Sequence, residues 1–164
     1  MTTMNPSGTE PRSMAQDKPA MGLPTALIVD DDPAIVRLCG YCLEEEGFRV
    51  LKAGDSREAL HLCRHYPGVI DLLITDLVLA PKTLRLRTGA SQPVNMNGLQ
   101  LMRQIQAVRR QIKVILMSGH SDEHLESLYI MKGGWPFLRK PFGLTTLAGM
   151  AREMLTLREE SIRT

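Results

Sequence analysis

Acidic residues follow two apolar segments of this chain. Asp30 and Asp31 come directly after the apolar residues 26–29, and Asp76 ends a second, largely apolar run at residues 72–75. Runs of this length are consistent with buried strands, and parallel strands place their carboxyl ends at the same edge of a sheet. Carboxylates gathered there repel one another unless a cation or a proton intervenes. The pattern therefore predicts a site for a hard divalent cation, for which Mg²⁺ is the natural choice.

Two later apolar segments also end in polar groups. Residues 112–117 lead into Ser118, and residues 137–139 lead into Lys140. If all four segments are parallel strands, their carboxyl ends bring acids, a hydroxyl and an ammonium together at one edge.

Helical and strand patterns alternate along the chain. Asp32 and Pro33 are typical of a helix N-cap and first turn, and Gly47 is expected to end that helix. The predicted strands cover 26–29, 48–52, 72–76, 112–117 and 135–139. The predicted helices cover 33–46, 57–65 with Ser56 as cap, 98–110, 121–131 and 144–160. In the third helix, Leu99, Met102, Ile105 and Val108 are expected on the buried side. Right-handed crossovers then give a doubly wound α/β fold around a five-stranded parallel sheet.

Composition restricts the class of protein. With 164 residues, 43% hydrophobic content and a formal net charge of +2, the chain fits one domain and does not indicate nucleic-acid binding. No stretch has the length of a membrane span or a signal peptide. Three cysteines do not suggest a disulfide framework, and we expect a cytoplasmic protein. Residues 1–23 lack periodicity and are expected to be a disordered tail, followed by one domain at 24–160.

The motifs closely resemble the receiver domain of two-component response regulators and hybrid sensor kinases over residues 26–157. The resemblance rests on the acidic pair Asp30 and Asp31, on Asp76, on Ser118, and on Lys140 within Lys-Pro-Phe. It implies the flavodoxin-like receiver fold with strand order 2-1-3-4-5. It also implies a phosphorelay protein that catalyses its own phosphorylation and slow dephosphorylation.

The resemblance implies a role for each of these residues. Asp76 would accept a phosphoryl group from a phosphohistidine, since a carboxylate can act as the nucleophile. Asp30, Asp31, Asp76 and the backbone carbonyl of Val78 would hold Mg²⁺. Two further residues would sense the phosphoryl group, namely Ser118 and Lys140, and Phe137 would be the switch aromatic.

The partners implied are a histidine kinase or a histidine phosphotransfer protein and a downstream effector that the sequence does not identify. The phosphorylated form could pair as a homodimer. Because the chain ends soon after the last predicted helix, we expect output through another protein. The predicted readout surface comprises the fourth helix, the fifth strand and the fifth helix.

The segment after Asp76 departs from the family pattern. Leu79 and Ala80 stand where receivers usually carry Met-Pro, and residues 81–97 form an insertion that is much longer than the usual turn. Loops of this length are usually functional or disordered. Because the insertion follows the acceptor, we expect it to tune partner choice or phosphoryl lifetime.

Two alternatives stay open at this stage. Asp30-x-Asp32 with a later Ser118 and Lys140 also resembles the haloacid-dehalogenase phosphatases, in which Asp30 would be the nucleophile, although no further acidic motif follows Lys140. The chain could also be a degenerate receiver that only binds a partner. Cys39 and Cys42 have the spacing of a redox motif, but their place within a predicted helix favours packing.

Overall fold

The strands and helices follow the alternation predicted from the sequence. The computed structural model describes residues 22–79, 97–119 and 134–162. Within these ranges the strands are β1 (Thr25–Val29), β2 (Arg49–Ala53), β3 (Leu72–Asp76), β4 (Lys113–Ser118) and β5 (Phe137–Arg139). The helices are α1 (Pro33–Glu45), α2 (Ser56–His65), α3 (Gly98–Val108) and the C-terminal helix (Leu144–Ile162).

The described strands form one parallel sheet in the order β2-β1-β3-β4-β5. This order confirms the predicted doubly wound α/β fold. It also places β1 and β3 side by side, so the acids that follow them are neighbours. We refer to the edge where the strands end as the carboxyl edge and to the opposite one as the amino edge.

The core consists of two apolar layers, one on each face of the sheet. Leu27 and Val29 of β1 pack into the layer beneath α2 and α3, whereas Ala26 and Ile28 pack into the layer beneath α1 and the C-terminal helix. This alternation is the period of two that a strand imposes on its side chains. Because both faces of the sheet are covered, the central strands β1, β3 and β4 are buried along nearly their whole length, whereas β2 at the side of the sheet exposes Arg49 and Lys52.

The first two helices begin with aspartate caps. Asp32 caps α1 by accepting a hydrogen bond from the Ala34 N–H, with Pro33 in the first turn, as predicted. The prediction that Ser56 caps α2 is wrong. The cap is Asp55, whose carboxylate accepts from both the Arg57 and Glu58 N–H groups, and Ser56 is already helical. A carboxylate can serve both backbone donors and also favours the positive end of the helix dipole.

Three other predictions also need correction. Val108 is 51% exposed rather than buried, because a strict spacing of three residues drifts around a helix of 3.6 residues per turn. Leu101 is buried instead. Strand β5 begins at Phe137 rather than residue 135, since Pro136 has no N–H to donate. Strand β2 lies one residue later than predicted.

Several predicted features lie outside the described residues. These are most of the N-terminal tail, nearly all of the insertion at 81–97, and the fourth helix at 121–131. Within the described ranges, none of the helices has both the length and the apolar character that a membrane crossing needs.

The three cysteines Cys39, Cys42 and Cys63 are buried and form no disulfide. Burial raises the pKa of the Cys39 and Cys63 thiols to about 11, which agrees with a packing role.

At the amino edge, Arg109 forms three hydrogen bonds that hold the segment between α2 and β3 in place. Its guanidinium donates to the carbonyl oxygens of Cys63 at 3.0 Å, Tyr66 at 2.6 Å and Gly68 at 2.9 Å. A guanidinium offers five donors in a fixed plane, so one side chain can satisfy three carbonyls of a turn. Because Arg109 follows α3, it ties that helix to the loop that leads into the central strand.

We therefore predict that Arg109→Ala lowers the free energy of unfolding by about 2–4 kcal/mol, since three carbonyl groups lose a charged donor. Urea denaturation would measure the loss. Arg110→Ala, which removes the exposed neighbouring cation, is the matched control and should change stability by less than about 0.5 kcal/mol. Equal losses in the two variants would show that the three bonds contribute nothing specific.

Candidate functional site

Asp30 is buried at the carboxyl edge, directly after β1. It is 1% exposed, and its Oδ1 accepts a hydrogen bond from the Asp32 N–H at 2.9 Å. Burial raises the pKa of Asp30, while its hydrogen bonds to Lys140 and to the Asp32 backbone act in the opposite direction. The negative charge of Asp30 is therefore stabilised by the Lys140 ammonium and the Asp32 N–H, against the effect of burial.

Asp76 ends the neighbouring strand β3 and is the more accessible of the two acids. Its side chain is 13% exposed. Its Oδ1 accepts from the Val78 N–H at 3.0 Å, a local turn that fixes the carboxylate relative to the following backbone. The Leu77 N–H continues the pairing with β4 by donating to the Met117 carbonyl. The acid therefore lies at a well-anchored strand end with one face toward solvent.

Lys140 joins these two acids. Its Nζ lies 2.5 Å from Oδ2 of Asp30 and 2.5 Å from Oδ2 of Asp76, and its side chain is 19% exposed. Burial alone would lower the pKa of Lys140, but the hydrogen bonds to the two carboxylates outweigh it and the net shift is upward. The ammonium is thus held charged at the place where the acids meet.

The acids also meet the geometric requirement of a cation site. Asp30, Asp31 and Asp76 each offer a carboxylate oxygen, and the three oxygens lie within 4.8 Å of one another. Lys140 pairs with Asp30 and Asp76, so the three carboxylates carry more negative charge than its single ammonium offsets. An all-oxygen donor set of this kind suits a hard divalent cation such as Mg²⁺.

The remaining predicted site residues surround this cluster. Ser118 is fully buried at the end of β4, and the Lys140 N–H donates to its carbonyl at 2.8 Å. Val78 lies two residues beyond Asp76 and is 43% exposed. Phe137, three residues before Lys140, is half-buried and packs against the apolar layer beneath α2 and α3. Ser118 and Val78 thus lie at the carboxyl edge with the acids, and Phe137 lies on the strand that leads to Lys140.

One residue near Asp76 was missed by the sequence reasoning. Gly98 begins α3 and lies against the end of β3, where its N–H donates to the Leu77 carbonyl at 2.9 Å. A Cβ at Gly98 would lie 1.9 Å from the carbonyl oxygen of Asp76. The helix can approach the end of β3 this closely only because residue 98 has no side chain. The signal in the sequence was a glycine directly after the Asn97 cap.

The sequence of this chain matches a known protein family and several known proteins. The family model described as the response regulator receiver domain matches residues 26–83. The sensor kinase CckA of Brucella abortus is 30% identical over 135 residues, which are 82% of this chain and 13% of that protein. The transcriptional regulatory protein AruR of Pseudomonas aeruginosa is 30% identical over 136 residues, which are 81% of this chain and 50% of that protein. The chain therefore spans half or less of these relatives.

Solved structures show the same likeness. A response regulator receiver domain protein from Clostridium thermocellum superimposes with a TM-score of 0.66 at 26% identity, covering 84% of this chain and 98% of that one. The receiver domain of the hybrid histidine kinase CckA gives a TM-score of 0.60 at 26% identity, covering 80% of this chain and 98% of that one.

The contact at Gly98 leads to a prediction for stability. Gly98→Ala should lower the free energy of unfolding by about 1–3 kcal/mol, because the added methyl group forces α3 away from the end of β3. Gly149→Ala in the C-terminal helix is the matched control. A Cβ added at Gly149 would meet no heavy atom of another element within 4 Å, so alanine there should stabilise by about 0.5–1 kcal/mol through helix propensity. Urea titrations of both variants would test this, and a stabilised Gly98→Ala would contradict it.

Proposed function

Because this chain belongs to the response regulator receiver domain family, we propose that Asp76 accepts a phosphoryl group from a phosphohistidine of a histidine kinase or a histidine phosphotransfer protein. The observation that carries the proposal is the ion pairing of Asp76 and Asp30 with one ammonium, that of Lys140. Asp76 is the acid of this pair whose side chain reaches solvent. It is therefore the one that a partner's phosphohistidine can approach.

The transfer itself makes one bond and breaks one. An oxygen of the Asp76 carboxylate forms a bond to phosphorus as the bond from phosphorus to the partner's imidazole nitrogen breaks, and the electron pair returns to that nitrogen. The product is a mixed anhydride of phosphate and the aspartyl carboxyl group. Such transfer depends on positioning and charge neutralisation more than on a base. The turn through the Val78 N–H supplies the positioning of the carboxylate.

Charge neutralisation would come from two sources. Asp30, Asp31, Asp76 and the Val78 carbonyl would hold Mg²⁺, and a bound ion of this kind offsets the negative charge of an attacking carboxylate and a phosphoryl group. Lys140 supplies the second positive charge and already contacts Asp76. Its length lets it stay paired with Asp30 while it turns toward a phosphoryl oxygen.

Ser118 and Lys140 would then report the modification. A phosphoryl group adds charge and three acceptor oxygens to the end of β3. Lys140 would exchange part of its bonding to Asp76 for a phosphoryl oxygen, and the Ser118 hydroxyl would donate to another. Because the Lys140 N–H is bonded to the Ser118 carbonyl, the ends of β4 and β5 would respond together. Phe137, which lacks a hydroxyl, would change only its packing.

The wider role is also part of the proposal. We infer that the phosphorylated domain regulates an effector through protein contact in the cytoplasm. The relatives described above are a sensor kinase and a transcriptional regulatory protein, and in both the matching region is one part of a longer chain. The predicted readout surface includes the fourth helix, which lies outside the described residues, and homodimer formation on phosphorylation stays a prediction.

The phosphatase alternative finds no support in the site. It requires Asp30 as nucleophile, yet Asp30 is 1% exposed and holds hydrogen bonds from Lys140 and from the Asp32 N–H. An acid enclosed in this way is poorly placed to attack a phosphoryl group from solution.

We predict that Asp76→Asn abolishes phosphorylation. Incubation of the wild-type protein with acetyl phosphate and Mg²⁺ should add the mass of one phosphoryl group, and the variant should add none, because an amide is not a nucleophile toward phosphorus. Intact mass spectrometry is the measurement. Asp55→Asn, which removes an acid from the α2 cap at the same edge of the sheet, is the control and should be labelled like wild type.

Each rival function gives a different result in this experiment. Release of phosphate that persists in Asp76→Asn would indicate a phosphatase with Asp30 as the nucleophile. A wild-type protein that is never labelled, by acetyl phosphate or by phosphohistidine donors, would indicate a degenerate receiver.

Magnesium should stabilise the fold through the three acids. At a Mg²⁺ concentration about one hundred times the dissociation constant, the free energy of unfolding should rise by about 2.7 kcal/mol. Asp31→Asn should remove most of this gain, because it deletes one ligand without touching the Lys140 pairs. Thermal unfolding with and without Mg²⁺ measures the effect, and Asp55→Asn again serves as control. If Asp31→Asn kept the full shift, the ion would bind elsewhere.

A further inference from the structure

A second cluster of metal-ligating side chains lies on α2, and the proposed phosphoryl transfer does not use it. His61 and His65 are four residues apart, both are exposed, and their ring centroids are 4.2 Å apart with 29° between the ring planes. Residues four apart lie on the same face of a helix. Cys63, which lies between them in the sequence, is 1% exposed and belongs to the core. The outward pair is therefore separate from the thiol.

A hydrogen bond fixes the protonation of one of these rings. The Nδ1 atom of His65 lies 2.9 Å from the carbonyl oxygen of His61. A carbonyl oxygen can only accept, so Nδ1 carries the proton, and in the neutral ring Nε2 carries the lone pair. Histidines that bind metals almost always donate their other ring nitrogen to a carbonyl or carboxylate in this way. His65 is thus in the tautomer whose Nε2 can act as a metal ligand.

We propose that His61 and His65 form a two-nitrogen site for a borderline divalent transition cation, with Zn²⁺ as the test ion. Imidazole nitrogens suit Zn²⁺, Cu²⁺ and Ni²⁺, whereas Mg²⁺ prefers oxygen and fits the acids at the carboxyl edge. Two nitrogens bound to one tetrahedral Zn²⁺ are about 3.3 Å apart, from bonds of about 2.0–2.1 Å. The two rings, whose centroids are 4.2 Å apart, would have to turn out of their stacked arrangement so that both lone pairs meet at the ion, and the exposure of both side chains leaves room for that rotation.

Neighbouring charges set an upper limit on the affinity of this pair. Arg57 and Arg64 lie on one flank of it and disfavour a cation. Glu58 lies on the other flank, and its Oε2 accepts from the Gly54 N–H at 2.8 Å. Two ligands leave the other coordination positions of Zn²⁺ to water. The site is therefore open, and a group from a second molecule could complete it.

Zn²⁺ affinity in the full chain would test this proposal. Competition against a chromophoric chelator would be measured in saturating Mg²⁺, which occupies the acidic site. His61→Gln/His65→Gln should weaken Zn²⁺ binding at least tenfold, while circular dichroism stays unchanged because both side chains are exposed. The sequence contains four histidines, so His120→Gln/His124→Gln is the matched control and should keep the wild-type affinity.

A second measurement identifies the ligands directly. Electron paramagnetic resonance of bound Cu²⁺ should show two nitrogen ligands in wild type and in the control, and none in His61→Gln/His65→Gln. Equal Zn²⁺ affinities in wild type and this variant, or an equal loss in the control, would overturn the proposal. Because Asp76→Asn leaves α2 untouched, it should bind Zn²⁺ normally even if phosphoryl transfer fails.

Discussion

The ion pairs of Lys140 with Asp30 and Asp76 are the interaction on which the site depends. Two carboxylates lie at adjacent strand ends, and one of them is almost fully buried. They repel each other and have lost hydration, so without a positive partner their charged forms would be strongly disfavoured. The ammonium lies 2.5 Å from both and comes from a residue 110 positions after Asp30 in the sequence. The site therefore exists only when the whole sheet has formed, since its acids and its cation belong to opposite ends of the domain.

The strand order explains why this cation is a lysine. β1 and β3 are neighbours, so their acids meet without any intervening strand. Lys140 follows β5, which is separated from β3 by β4, and two strand spacings amount to about 10 Å. A long, flexible lysine side chain, met by the side chains of the two acids, can bridge that distance with its charge at the far end. A shorter basic group would leave the acids of β1 and β3 without their partner.

Much of this arrangement could be predicted from the sequence because apolar runs and their polar ends mark strands and strand ends. The strand order and the meeting of Asp30, Asp31, Asp76 and Lys140 followed from that pattern and from the resemblance it supports. Some features depended on contacts between distant segments or on local backbone geometry, and the sequence did not show them. The need for glycine at position 98 arises from the carbonyl of Asp76, and the exposure of Val108 arises from how α3 drifts over the sheet. Whether Asp55 or Ser56 caps α2 depends on which residue is the last one before the helical backbone begins, and that residue is Asp55.

The Arg109 bonds at the amino edge have a consequence for how such a domain can evolve. They hold the approach to β3 from the side opposite the acids, and the Thr25 N–H likewise donates to Asp71 there. The contacts that hold the starts of the strands and the acids of the candidate site thus lie at opposite edges of the sheet. Substitutions in the segments that follow the strands therefore leave these contacts at the amino edge in place. A fold divided in this way can change what it binds while its strands stay held in place.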